Sequence, residues 1–267
     1  MQIVAEIMLY IQMSVVIVCL SYGAIKDIFK REVNDIPWLI MAIVGLITSI
    51  IFIIFSDDPT EAGLATGINI TLGIILGALI YYTGMMGGAD AKAIMSLGFN
   101  TPIYFFNFNI TNTVLYKVLT PVFSTFFNWL VLIIIVYPIP LLLYNIFLRL
   151  RGIELFSHTS GSFFDKLIML FSGYLIKSDK AKDRLDIVYS EVFDEEKGHW
   201  KIKHFLKVEE VEEEEKFKRE VEERIKETDK KYIWVKVLPP GIVFLLIGYI
   251  INLLIGNMFI ALLLATH

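Results

Sequence analysis

The sequence predicts an all-α polytopic membrane protein, with about six transmembrane helices and a small α+β cytoplasmic insert between the fifth and the sixth. Three observations carry that expectation. Of the 267 residues, 56% are hydrophobic and the mean hydropathy is +0.64, whereas a soluble domain averages about 45–50% apolar. The excess is gathered in runs close to the roughly 20 apolar residues that a spanning helix needs. Before the last run the composition reverses, and residues 149–236 contain a stretch dominated by Glu, Lys and Arg that belongs in water.

The first run, 3–25, stops at Lys26. It lacks a basic segment ahead of it and a small-residue cleavage site after it, so it reads as a retained helix rather than a secretory leader. The second, 36–55, is uncharged, and an acidic loop follows with Asp57, Asp58, Pro59 and Glu61. The third, 62–82, carries Gly63, Gly67, Gly73 and Gly77, and small residues let membrane helices approach closely. The fourth, 91–106, is short and interrupted by Asn100 and Pro102. An Asn-, Thr- and Phe-rich loop leads to Pro121, and the fifth run spans 122–148.

Within the insert, 200–208 alternates apolar and polar residues, as a half-buried strand does. Residues 209–230 set Glu against Lys and Arg at helical spacing, which suits an exposed helix. A second strand fits 231–237, with Tyr232, Ile233, Trp234 and Val235. The last run is 241–264. The expected organisation is thus a membrane domain over 1–148, an insert over 149–236 and a closing transmembrane segment within 237–267.

A formal net charge of −4 gives no sign of a nucleic-acid partner. The single cysteine, Cys19, excludes an intramolecular disulfide and a cysteine-rich zinc module. His158, His199 and His204 are too scattered for a metal site, and Ser160 has no base partner. No metal and no cofactor are expected. Lysine and arginine favour the cytoplasmic side. With the N-terminus outside, Lys26, Lys30, Arg31, Lys92 and everything from Arg149 to Lys236 are cytoplasmic, leaving only Lys117 of the 24 basic residues outside.

Four acids lie in or against the apolar runs: Glu6, Asp27, Asp35 and Asp90. A carboxylate in hydrocarbon is costly, so such residues are functional candidates. Glu6 can reach water at the outer surface. Asp35, just before Pro37 and Trp38, suits a helix start. Asp27 ends the first run and Asp90 opens the fourth, which the topology places at one depth on one side. Two adjacent carboxylates can share a proton: one takes a proton from water while the other donates to a substrate carbonyl. Ordinary helix-end acids would occupy the same positions, since Asp at a helix N-terminus meets the helix dipole favourably.

The flanking residues distinguish these readings. Asp90 sits in Gly84-Met85-Met86-Gly87-Gly88-Ala89-Asp90-Ala91-Lys92. The stretch resembles the GxGD motif of the intramembrane aspartyl proteases, which include type IV prepilin peptidases, archaeal preflagellin peptidases and the presenilin group. Gly87 and Asp90 match the first glycine and the acid, and Ala89 replaces the second glycine. The run from Asp27 through Arg31, Glu32, Val33 and Asp35 to Trp38 is similar to the corresponding segment of the preflagellin-peptidase branch. The two acids are 63 residues apart with two apolar runs between them, and the resemblance covers about residues 1–100.

The resemblance implies that Asp27 and Asp90 are a catalytic pair and that Gly87, Gly88 and Ala89 support the second acid. Arg31, Lys92 and Pro240 are expected in structural or substrate-contact roles, the first two as snorkelling anchors. It also implies a membrane aspartic endopeptidase that removes the short leader of preflagellin or type IV pilin-like precursors at the cytoplasmic face of the cell membrane. The partners would be that precursor and the lipid bilayer. The acidic helix over 209–230 reads as a solvated face, and an acidic surface would also attract a basic leader. Two other classes remain open at this point: a proton-coupled transporter using intramembrane carboxylates, and a membrane scaffold.

Overall fold

The structure is a computed structural model. It describes residues 2–30, 32–83, 87–100, 121–157, 159–181, 184, 187–195, 197–203, 211–237 and 239–258. Arg31, the latter part of the fourth apolar run, Lys117, His158, His204 and the end of the last run lie outside the described residues.

In chain order the elements begin with α1 (Gln2–Lys30), α2 (Ile36–Phe55), α3 (Pro59–Thr83), α4 (Gly88–Leu97), α5 (Pro121–Val136) and α6 (Pro138–Leu150). They continue with β1 (Thr159–Ser160), α7 (Phe163–Ser172), β2 (Gly173–Lys177), α8 (Ser178–Ala181), β3 (Ile187–Tyr189), β4 (Glu191–Asp194) and β5 (His199–Ile202). The last are α9 (Val211–Glu227), β6 (Tyr232–Val237) and α10 (Gly241–Ile255). Two compact units result, one of Met1–Leu132 with Pro240–His267 and one of Ile133–Pro239.

Among the described residues four helical stretches are long and apolar enough to cross a membrane: Ile3–Lys30, Ile36–Phe55, Pro59–Tyr82 and Val122–Leu150. The last contains a turn at Tyr137, where Pro138 opens α6. Proline is tolerated in a first helical turn because its missing N–H has no partner there to lose. Helix α4 has 10 residues and rises about 15 Å, half the hydrocarbon thickness.

The first unit is held by polar side chains and missing side chains. Lipid tails are as apolar as leucine, so helix association there rests on close packing and hydrogen bonds. Gln12 Nε2 of α1 donates to Thr48 Oγ1 at 2.8 Å and Ser49 Oγ at 3.0 Å on α2. Asn69 of α3 donates to the Gly98 and Asn100 carbonyls at 3.0 and 2.9 Å and accepts from the Val122 amide at 3.1 Å. That one side chain ties α3, the end of α4 and the start of α5. The four glycines of α3 divide. A Cβ on Gly73 would lie 2.7 Å from Gly98 Cα, and one on Gly77 2.7 Å from the Ala91 carbonyl, so both admit α4. Among the described residues, a Cβ on Gly67 would meet nothing within 4 Å, and one on Gly63 only Ile53 at 4.0 Å.

In the second unit two three-stranded sheets have the orders β1-β5-β4 and β2-β6-β3. All pairs are antiparallel except β1 with β5. Both faces of β6 are buried: Ile233 and Val235 join Trp200 and the α9 stripe Phe217, Val221 and Ile225, while Trp234 joins Leu148, Met169 and Leu175. The stripe at every fourth residue is the helical period, which gives this very polar helix one dry face. Of the expected strand over 200–208, β5 takes in 200–202, Lys203 lies beyond it, and 204–208 lie outside the described residues.

A buried ion pair crosses this unit. Glu191, fully buried, lies 2.9 Å from Lys230 Nζ. It accepts from the Trp234 amide at 2.9 Å and from the Thr159 hydroxyl. Lys230 also stands 4.1 Å from the Trp200 ring centroid. Burial pulls the Lys230 ammonium below its ordinary value, and Glu191 opposes that shift.

Candidate active site

Helix α10 opens after Pro239 and Pro240, and its first turn lacks a side-chain cap of its own. Proline has no side-chain acceptor, so the first amides of α10 must find partners elsewhere. Asp27, near the C-terminal end of α1, provides one: the Ile242 amide donates to Asp27 Oδ2 at 3.2 Å across 215 residues of chain. The helix dipole makes this a favourable place for a carboxylate.

Asp90 reaches the same place from α4. Its carboxyl packs on Gly241, where a Cβ would lie 2.3 Å from Oδ1, 2.7 Å from Cγ and 2.8 Å from Oδ2. Asp90 is 8% exposed, and it lies in the first turn of α4. The two acids therefore abut consecutive residues, Gly241 and Ile242. Both belong to the first unit.

Neighbouring contacts hold this arrangement. The indole of Trp129 on α5 donates to the Gly241 carbonyl at 2.8 Å, a buried bond. One helical turn before Asp27, Gly23 receives the Trp38 ring of α2, which a Cβ would meet at 2.7 Å, and Ile242, at 3.1 Å. The absent side chain at Gly23 thus lets α2 and α10 close on α1 beside the acid.

The other expected site residues fall into place differently. Gly87 is the N-cap of α4, with φ −63° and ψ 153°, a conformation open to any residue. Its carbonyl accepts from the Asp90 amide at 3.1 Å. A Cβ on Gly87 would make ordinary contact with Asp90 Oδ2 at 3.5 Å, and one on Gly88 would come no closer than 3.9 Å to Tyr81. Neither position requires glycine through backbone conformation or through a collision. Gly88 and Ala89 are the first helical residues of α4, so alanine at 89 stands where helix geometry suits it. Lys92 forms a salt bridge with Asp35, with both carboxylate oxygens at 2.7 and 2.8 Å. Asp35 precedes α2 and makes no side-chain cap bond, so its carboxylate ties the α1–α2 loop to α4. Pro240 caps α10.

Sequence reasoning missed Gly241, Ile242, Trp129 and Gly23. Gly241 carried one usable signal, a glycine directly after two prolines at the start of an apolar run. Trp129 and Gly23 carried none, being ordinary residues of apolar helices.

The sequence matches known protein families. Residues 14–139 match the type IV leader peptidase family, and residues 165–258 match the archaeal peptidase A24 C-terminus, type II. Both matches are to models of the peptidase A24 family. It is similar to a preflagellin peptidase of Methanococcus voltae, 28% identical over 137 residues, which takes in 48% of this chain and 54% of that protein. It is also similar to an uncharacterised protein of Methanocaldococcus jannaschii, 24% identical over 146 residues, or 42% of this chain and 58% of that one. The chain spans little more than half the length of these relatives.

Proposed function

We propose that the protein is a membrane aspartic endopeptidase that removes the short leader of preflagellin or type IV pilin-like precursors. The observation that carries this reading is the convergence of Asp27 and Asp90 on Gly241 and Ile242. The family match and the preflagellin peptidase relative support the reaction and the substrate class. The apolar runs and the Lys/Arg distribution support six crossings, an outside N-terminus and a cytoplasmic catalytic face. Residues 149–236 form the cytoplasmic insert in this reading.

In the working pair one carboxylate is ionised and the other protonated. The ionised one takes a proton from a water, whose oxygen attacks the scissile carbonyl carbon. The carbonyl oxygen takes the proton of the second acid, giving a tetrahedral gem-diol. As the C–N bond breaks, the departing nitrogen receives the proton that the first carboxylate had taken. The hydroxyl proton returns to the second acid, and the pair recovers its starting state. Gly87, Gly88 and Ala89 deliver Asp90 through the first turn of α4. Arg31 follows Asp27 by four residues and Pro240 directly precedes Gly241, and both are assigned to substrate or structural contact.

Replacing Asp27 or Asp90 by Ala tests this. Each variant should insert in the membrane and leave a preflagellin-type precursor uncleaved, read as an unshifted band or mass. Full cleavage by either variant would overturn the assignment.

A further inference from the structure

The second unit exposes an apolar face that the peptidase chemistry does not use. On α7, Phe163 and Phe164 are 75% and 71% exposed, and Leu167, Ile168 and Phe171 continue the same stripe at helical spacing. The opposite side of the helix is committed to protein. Met169 is fully buried, and Asp165 is spent in a capping box with Ser162, accepting from its amide at 2.8 Å. Fully buried Asn145 of α6 donates to the Leu170 and Gly173 carbonyls at 3.0 and 2.8 Å. Asn145 thus satisfies the end of α7 and fixes its rotation against α6.

Helix α6 exposes apolar residues of its own, including Leu143, Phe147 and Leu150. Between the two helices runs an apolar groove of about 440 Å³ lined by Tyr137, Pro138, Leu141, Leu167, Ile168 and Phe171. Helix α6 is the end of a membrane-length stretch, Val122–Leu150, so the α7 stripe continues a surface already apolar enough for lipid. Soluble proteins rarely leave a contiguous apolar face of this kind uncovered. Basic groups lie close by: Arg149 and Arg151 end α6, with Arg151 4.2 Å from the Phe147 ring centroid, and Lys166 stands 5.5 Å from that of Phe156. This is the pattern of a helix lying in the membrane plane, apolar residues among acyl chains and cations among phosphates.

We propose that α7 is an in-plane membrane helix, and that its Phe163–Phe171 stripe and the groove against α6 are covered by phospholipid. The insert is then seated on the bilayer through its own face. The inference is independent of the peptidase reading.

Spin labels read this directly. In the full chain with Cys19→Ala, single cysteines replace Phe164, Ile168 or Leu141 in turn, with Lys197→Cys as the aqueous reference, since Lys197 is exposed on the insert. The variants are reconstituted in phosphatidylcholine–phosphatidylglycerol vesicles. Collision with oxygen should exceed collision with a water-soluble nickel chelate several-fold at 164, 168 and 141, and the order should reverse at 197. Water-like collision at both 164 and 168 would overturn the proposal. So would immobile labels shielded from both reagents at both positions, the mark of a protein partner or a second copy. Testing two exposed stripe positions guards against one badly folded variant.

Discussion

One added methyl group at Gly241 tests whether the start of α10 organises both acids. Gly241 does not have a positive φ, so alanine costs nothing in backbone conformation and the effect is purely one of space. The new Cβ would sit 2.3 Å from Asp90 Oδ1, and all three carboxyl heavy atoms lie within 2.8 Å of it, where ordinary contact begins at 3.4 Å. The aspartate stem is short and rooted in the first turn of α4, so relief means moving the carboxyl or the helix by roughly 1 Å, a misplacement that can cost about 10²-fold in rate. That is about 2.7 kcal/mol of barrier, while overpacking destabilises by about 1–3 kcal/mol. The assay is cleavage of a preflagellin-type precursor in proteoliposomes, with thermal unfolding measured on the same preparations. Gly88→Ala is the control, because among the described residues its Cβ would approach nothing closer than Tyr81 at 3.9 Å. Gly241→Ala should lose about two orders of magnitude in kcat with a modest fall in Tm, and Gly88→Ala should keep near-normal activity. Full activity in Gly241→Ala, or an equal loss in both, would refute the reasoning.

Trp129→Phe keeps the ring but removes the 2.8 Å bond to the Gly241 carbonyl. A lost buried bond of this kind costs about 1–3 kcal/mol, so Tm and cleavage should both fall. Lys92→Met breaks an ion pair whose side chains are 47% and 69% exposed, and such pairs contribute about 0–1 kcal/mol. Stability and cleavage should change little, and a loss matching that of Asp90→Ala would give Lys92 a chemical role. Lys230→Met strands the buried Glu191 carboxylate and should destabilise the insert by about 3–5 kcal/mol, read by denaturant unfolding. Because burial lowers the Lys230 pKa, the native state binds fewer protons than the unfolded chain below about 10.5. The insert should gain stability as pH rises toward that value, and the gain should vanish in Lys230→Met.

The chain's own chemistry determined the class. Run length and charge are local properties, so the apolar spans, the charged α9 and the strand β6 were legible before any tertiary contact was known. Asp27 and Asp90 stood out for the same reason, as acids at the ends of apolar runs with a family-like motif around each. Helix α7 was overlooked because ten residues, six of them Phe, Leu or Ile, lack the length to announce a span. What only the tertiary structure decided is which small residues matter and which residues each acid packs against. Gly67 and Gly77 look alike in sequence, yet among the described residues only Gly77 lies against a neighbouring backbone. The meeting of Asp27 with the Ile242 amide across 215 residues depends on how α1, α4 and α10 rotate and slide against one another. Packing at Gly23, Gly73 and Gly241 sets those motions, and hydropathy carries no record of them.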